Sequence, residues 1–127
     1  MKTLVFSREG FIKFQKENDL EKKYAVISIS AIDEDCLRIE CDEVLYVHFN
    51  DVGEFDKGAI TPEIARIIIQ FAKLEMGRQL IVHCGAGLSR SPVVALALAV
   101  LGYGEYDPQG TVPNVAVKAM IMREGWK

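Results

Sequence analysis

A cysteine and an arginine in the pattern C-x5-R frame the stretch HCGAGLSRS, His83 to Ser91, with Gly85 and Gly87 between them. Two glycines let a backbone curl tightly enough to turn several successive N–H groups into one concavity. A helix starting just beyond such a turn adds its positive end, so the stretch is built to hold an anion. Arg90 contributes a planar fork that binds two oxygens of a phosphate, a geometry that lysine lacks. Facing the same N–H groups, the Cys84 sulfur is favoured as a thiolate and serves as a nucleophile near neutral pH. Ser89 and Ser91 bring hydroxyls to the same place, and Ser91 is positioned to donate to the sulfur when it departs.

The flanking elements decide whether such a turn can be presented. Gln79 to His83 (QLIVH) predicts a short buried strand. SRSPVVALALAVLG predicts a helix from about Arg90 to a stop at Gly102, with proline tolerated in its first turn and apolar residues on nearly every side. Upstream, Thr3 to Ser7 is a strand candidate, and Ser7 can cap a helix from Arg8 to about Asn18. Tyr24 to Ile29 and Val44 to Phe49 predict strands. TPEIARIIIQFAKLEMG predicts a helix capped by Thr61, opened by Pro62 and stopped by Gly77. A last helix is expected from Val115 to about Arg123. Strands and helices alternate, which predicts one α/β domain over residues 1–127, with a mainly parallel central sheet of about four to five strands flanked by helices on both faces. Ligands in such folds bind beyond the carboxyl ends of the strands, where Cys84 lies.

Composition narrows the partners. The chain has 127 residues, half of them apolar, and a net charge of −3, the balance of a globular domain with no global field for nucleic acid or an anionic membrane. Its longest apolar run, Ser91 to Gly102, is too short to span a bilayer, and the N-terminus carries charges where a secretory signal would be apolar. A cytoplasmic location is expected. Three cysteines, Cys36, Cys41 and Cys84, give no disulfide framework, and two histidines without a Cys-x-x-Cys give no metal set. Cys36 and Cys41 are read as small buried hydrophobes, His48 as a strand residue and His83 as a structural support of the loop.

HCGAGLSRSP between strand and helix resembles the signature of cysteine-dependent protein tyrosine phosphatases, in particular the small dual-specificity group. VHFNDVGEFD followed by a helix and QLIVHC is similar to that family's general-acid loop, helix and nucleophile strand, and VISIS to its early core strand. The likeness covers roughly residues 24 to 102. It implies a phosphotyrosine phosphatase-like fold, with Cys84 as the nucleophile of a phosphocysteine intermediate, Arg90 as the phosphate and transition-state ligand, and Ser91 assisting breakdown. Gly85, Ala86, Gly87, Leu88, Ser89 and Arg90 would bind the phosphoryl oxygens, or a phosphate or sulfate ion in their place, without metal or cofactor. Asn114 is expected to cap the last helix, and in similar phosphatases an equivalent Pro-Asn braces the phosphate loop.

A leaving oxygen needs a proton, and Asp51, Glu54 and Asp56 share one loop upstream. The resemblance favours Asp51, immediately after the VLYVHF strand where similar dual-specificity phosphatases carry their acid, with Asp56 in reserve. A protonated acid beside a thiolate predicts a bell-shaped pH profile with its optimum on the acid side of neutral. The expected substrate is a phosphorylated protein or peptide bearing phosphotyrosine, with phosphoserine and phosphothreonine also open. Phosphoinositides, inositol phosphates or RNA 5′-phosphates are the alternative esters, disfavoured by the uncharged Gly85 to Leu88. A non-catalytic phosphate-binding module is the alternative from another class, and Tyr103 and Tyr106 either flank the pocket or cover a helix end.

Overall fold

The computed structural model describes every residue except 22, 54, 55, 86–88 and 109–113. Four strands, β1 (Leu4–Ser7), β2 (Tyr24–Ser30), β3 (Val44–His48) and β4 (Gln79–Cys84), form one sheet in the order β1-β4-β2-β3. All three pairings are parallel, with Ser7 opposite Cys84, Ser28 opposite His83 and Ser30 opposite His48. The carboxyl ends of all four strands therefore lie along one edge. The result is a single small α/β domain with, among the described residues, four helices, α1 (Arg8–Glu17), α2 (Pro62–Leu74), α3 (Arg90–Val100) and α4 (Val115–Gly125).

Strand alternation sorts the sheet into two faces. Val26 and Ile81 point to one, where Phe11 of α1 and Leu20 complete a small core, joined by Leu37, Ile39 and Cys41 from the segment between β2 and β3. Ile27, Ile29, Val47, Val82 and Cys84 point to the other, into a larger core closed by α2, α3 and α4. Local signals set the helix starts: Ser7 Oγ accepts from Gly10 N at 3.0 Å, and Thr61 Oγ1 from Ile64 N at 3.2 Å. The ends are less well signalled. α2 stops at Leu74, before the expected Gly77, whose φ is not positive and whose missing Cβ would meet nothing within 4 Å. Gly102, by contrast, has φ +95°, which ends α3 as expected. β4 runs one residue further than expected and carries Cys84 as its last member, and α4 extends past Arg123 to Gly125. There the buried Glu124 carboxylate accepts from Arg66 Nη1 of α2 at 2.8 Å and pairs with Lys127 Nζ at 3.0 Å.

His83 is fully buried between the sheet and α1. Its ring stacks on Phe11 with centroids 4.9 Å apart, and Nε2 meets Ser28 Oγ at 2.7 Å. The histidine expected to support the loop thus braces β4 against β2. Burial pushes its pKa down to about 4, partly opposed by the Cys84 backbone and reinforced by the Arg8 charge. A proton binds the unfolded chain near pH 6.5 but the folded chain only near pH 4, so this contribution is complete above pH 6.5 and is lost on acidification between those values. We expect roughly 3 kcal/mol of stability to disappear across that window. Urea unfolding of the wild type and His83→Asn at pH 7 and pH 4.5 isolates it from the acid loss of the Glu124 pairs, because only the wild type carries the histidine share.

No helix among the described residues is long and apolar enough to cross a membrane.

Candidate active site

At the carboxyl edge of the sheet, Cys84 ends β4 and α3 begins at Arg90, so the loop between them is held by the central strand and by a helix packed on it. Ala86, Gly87 and Leu88, three of the expected phosphate ligands, lie outside the described residues. Gly85 is fixed from behind: its carbonyl accepts from Arg8 N at 2.9 Å, tying the loop to the start of α1. A side chain at Gly85 would place its Cβ 3.3 Å from Arg90 Nη2, so glycine keeps the guanidinium's approach clear.

The Cys84 sulfur is only 2 % exposed as a residue and has two donors within reach. Ser91 N, in the first turn of α3, donates to Sγ at 3.4 Å, and Ser91 Oγ stands 3.1 Å from it. Both are groups that stabilise negative charge on sulfur, one through the helix end and one through a hydroxyl. Arg90 Nη1 donates to the Phe49 carbonyl at 2.9 Å, which anchors the guanidinium to the chain leading from β3 into the acid loop. Nη2 lies toward Gly85.

Asp51 and Asp56 separate here. Asp51 Oδ1 accepts from Ser89 Oγ at 2.8 Å and from Asn114 Nδ2 at 2.6 Å, so it lies against the loop that carries Cys84 and Arg90. Asp56 turns back on its own loop, with Oδ2 accepting from Gly53 N at 3.1 Å. Both of these donors address Oδ1 of Asp51, and neither addresses Oδ2.

Asn114 does two jobs. Its Oδ1 caps α4 by accepting from Val117 N at 3.2 Å, while Nδ2 donates to Asp51 and, at 3.3 Å, to the Val52 carbonyl. The cap was legible in sequence; the bond to Asp51 was not, because it joins residues far apart in the chain. Replacing Asn114 by serine keeps a capping oxygen but removes the long amide arm. We expect Asn114→Ser to lose about ten- to a hundredfold in turnover of any substrate needing a proton on its leaving group. Its urea midpoint should stay near the wild type, whereas Asn114→Ala should also lose about 1 kcal/mol of stability.

Beside Asp51 and Ser89 lies a groove of about 360 Å³, floored by Val52, Gly53, Asn114 and Ala116, with Val115 71 % exposed at its rim. Tyr103 and Tyr106 stand elsewhere. They follow α3 and pack on the larger core, with Tyr103 lining a cavity near the amino end of the sheet and Tyr106 one beside Lys2 and Thr3, so neither lines this groove.

Cys36 and Cys41 both belong to the α1 side of the sheet, while the Cys84 side chain packs on the other. Cys41 is partly buried, its thiol surrounded by the carbonyls of Leu20, Tyr24 and Glu43, and burial pushes its pKa up. Cys36, expected to be buried, is exposed: it lies in the irregular segment between β2 and β3, of which Leu37, Ile39 and Cys41 are the residues that pack on the α1 side. Among the described residues no group of three or more His, Cys, Asp or Glu side chains is placed to hold a metal. No family model matches the chain, and no curated protein matches it in sequence.

Proposed function

We propose that the protein hydrolyses phosphate monoesters on proteins or peptides, phosphotyrosine foremost and phosphoserine or phosphothreonine in addition, through a phosphocysteine intermediate. The observation that carries this reading is the convergence on one loop of a thiol contacted by Ser91, an arginine anchored to the acid loop, and the Asp51 carboxylate bonded to Ser89.

In the first step Cys84 Sγ attacks phosphorus and the P–O bond to the leaving group breaks as the P–S bond forms. Asp51 passes the proton on Oδ2 to the departing oxygen. Arg90 and the loop N–H groups hold the equatorial oxygens, where charge gathers in the transition state. In the second step the Asp51 carboxylate takes a proton from water, the water oxygen attacks phosphorus, and the sulfur leaves as thiolate. Ser91 Oγ, already beside Sγ, donates to it as negative charge returns.

The test is hydrolysis of p-nitrophenyl phosphate and of phosphotyrosyl and phosphoseryl peptides by the wild-type chain in the presence of a chelator, from pH 5 to pH 8. Turnover with a bell-shaped profile and an optimum below neutrality is expected. Phosphopeptide binding with no turnover at any pH would overturn the reading in favour of a phosphate-binding module.

A further inference from the structure

A second nucleophile and base meet on the opposite side of the sheet from Cys84. Cys36 Sγ, solvent-exposed, lies 3.2 Å from His48 Nε2. His48 Nδ1 lies 3.1 Å from the Ala31 carbonyl, which can only accept, so Nδ1 carries the hydrogen and Nε2 is the nitrogen that faces the thiol. A nucleophile, a base in contact with it and a third group orienting that base are the three parts of an activated thiol.

The surroundings hold the arrangement. Ala31 N donates to Glu34 Oε1 at 3.1 Å, Ile32 N to Asn50 Oδ1 at 3.0 Å, and Arg8 Nη1 to the Asp35 carbonyl at 3.3 Å, so the turn bearing Cys36 is pinned at both ends. A separate observation points to a small polar ligand. Ser30, paired in register with His48 and therefore on the same face of the sheet, is 1 % exposed, and its Oγ has no partner among the described residues. A buried hydroxyl without a partner is costly, and the register sets Ser30 next to His48 on the neighbouring strand.

We infer that Cys36 and His48 form a peroxide-reactive thiol site, independent of the phosphate loop, whose substrate is a small uncharged hydroperoxide. As the S–H proton passes to Nε2, sulfur attacks the terminal peroxide oxygen; the S–O bond forms and the O–O bond breaks. The departing alkoxide or hydroxide takes the proton from Nε2, leaving cysteine sulfenic acid and an alcohol or water. Sulfur is oxidised by two electrons and the peroxide reduced by two. Asp33, Glu34 and Asp35 in the same turn favour an uncharged reagent over an anionic disulfide. Cys41, enclosed by carbonyls, is the internal control.

The experiment uses the Cys84→Ser chain, which removes the other nucleophile. It is exposed to hydrogen peroxide, sulfenic acid is trapped with dimedone, and labelling at Cys36 and Cys41 is timed by peptide mass spectrometry. Cys36 should be trapped at least about tenfold faster in the folded chain than in the same chain unfolded in guanidinium, and His48→Gln should remove about that factor. Greater exposure in the unfolded chain works against this result, so a folded-state advantage reports the imidazole. Equal or slower labelling of folded Cys36 overturns the inference, as does an unchanged rate in a folded His48→Gln chain. If His48→Gln does not fold, the folded-against-unfolded comparison decides alone.

Discussion

Replacing Cys84 by serine is expected to abolish turnover of aryl phosphates while leaving phosphate binding intact. The substitution changes one atom in a site where Ser91 N and Ser91 Oγ both address the sulfur, so the loop has no steric reason to move. What changes is the nucleophile: a serine hydroxyl remains protonated near neutral pH, and among the described residues the side chain at this position meets only Ser91, which is no base. The loss should be on the order of 10⁴-fold or more, equivalent to about 5 kcal/mol of transition-state stabilisation. Isothermal titration with inorganic phosphate reads the second half of the expectation. Loss of turnover together with loss of phosphate binding would indicate a collapsed loop, and persistent turnover would remove Cys84 from the chemistry altogether.

Asp51→Asn is expected to show a loss that depends on the leaving group. Asparagine still accepts at its oxygen from Ser89 and Asn114, so the contacts that pin the side chain survive, but it has no acidic proton to give. For p-nitrophenyl phosphate, whose phenolate departs readily, the loss should be modest. For a phosphoseryl peptide, whose alkoxide is a poor leaving group, it should reach about 10²- to 10⁴-fold. The acid-side optimum should disappear as well. Rates measured across substituted phenyl phosphates would turn this contrast into a slope. Asp56→Asn serves as the comparison, because Asp56 is engaged with Gly53 in its own loop and should leave both rates within about twofold of the wild type. A leaving-group-dependent loss in Asp56→Asn, with none in Asp51→Asn, would transfer the acid role to Asp56.

The division between what was legible in the chain and what was not follows the range of the interactions. The C-x5-R stretch, the strand before it and the helix after it are read from neighbouring residues, since glycine conformation, apolar runs and proline in a first turn act within a few positions. The same holds for the caps at Ser7, Thr61 and Asn114, each a side-chain oxygen accepting from an N–H three residues on. The alternation of elements also implied a parallel sheet with Cys84 at its carboxyl edge, because parallel strands need crossovers and crossovers leave that edge open.

Only the tertiary structure decided which acid meets the loop. The sequence preferred Asp51 and held Asp56 in reserve; the bonds from Ser89 and Asn114 to Asp51 come from parts of the chain that share no local pattern. It also decided the strand order, and with it the face on which each cysteine lies. Cys36 is exposed against expectation because an odd cysteine in an irregular segment carries no periodicity, and packing decides which residues of the β2–β3 connection reach the α1 side. Likewise α2 ends at Leu74 and not at Gly77, which has neither a left-handed backbone nor a close neighbour to require it. Sequence by itself determined the strand and the helix that frame the Cys84 loop. Long-range packing, which no window of a few residues encodes, determined what stands opposite it.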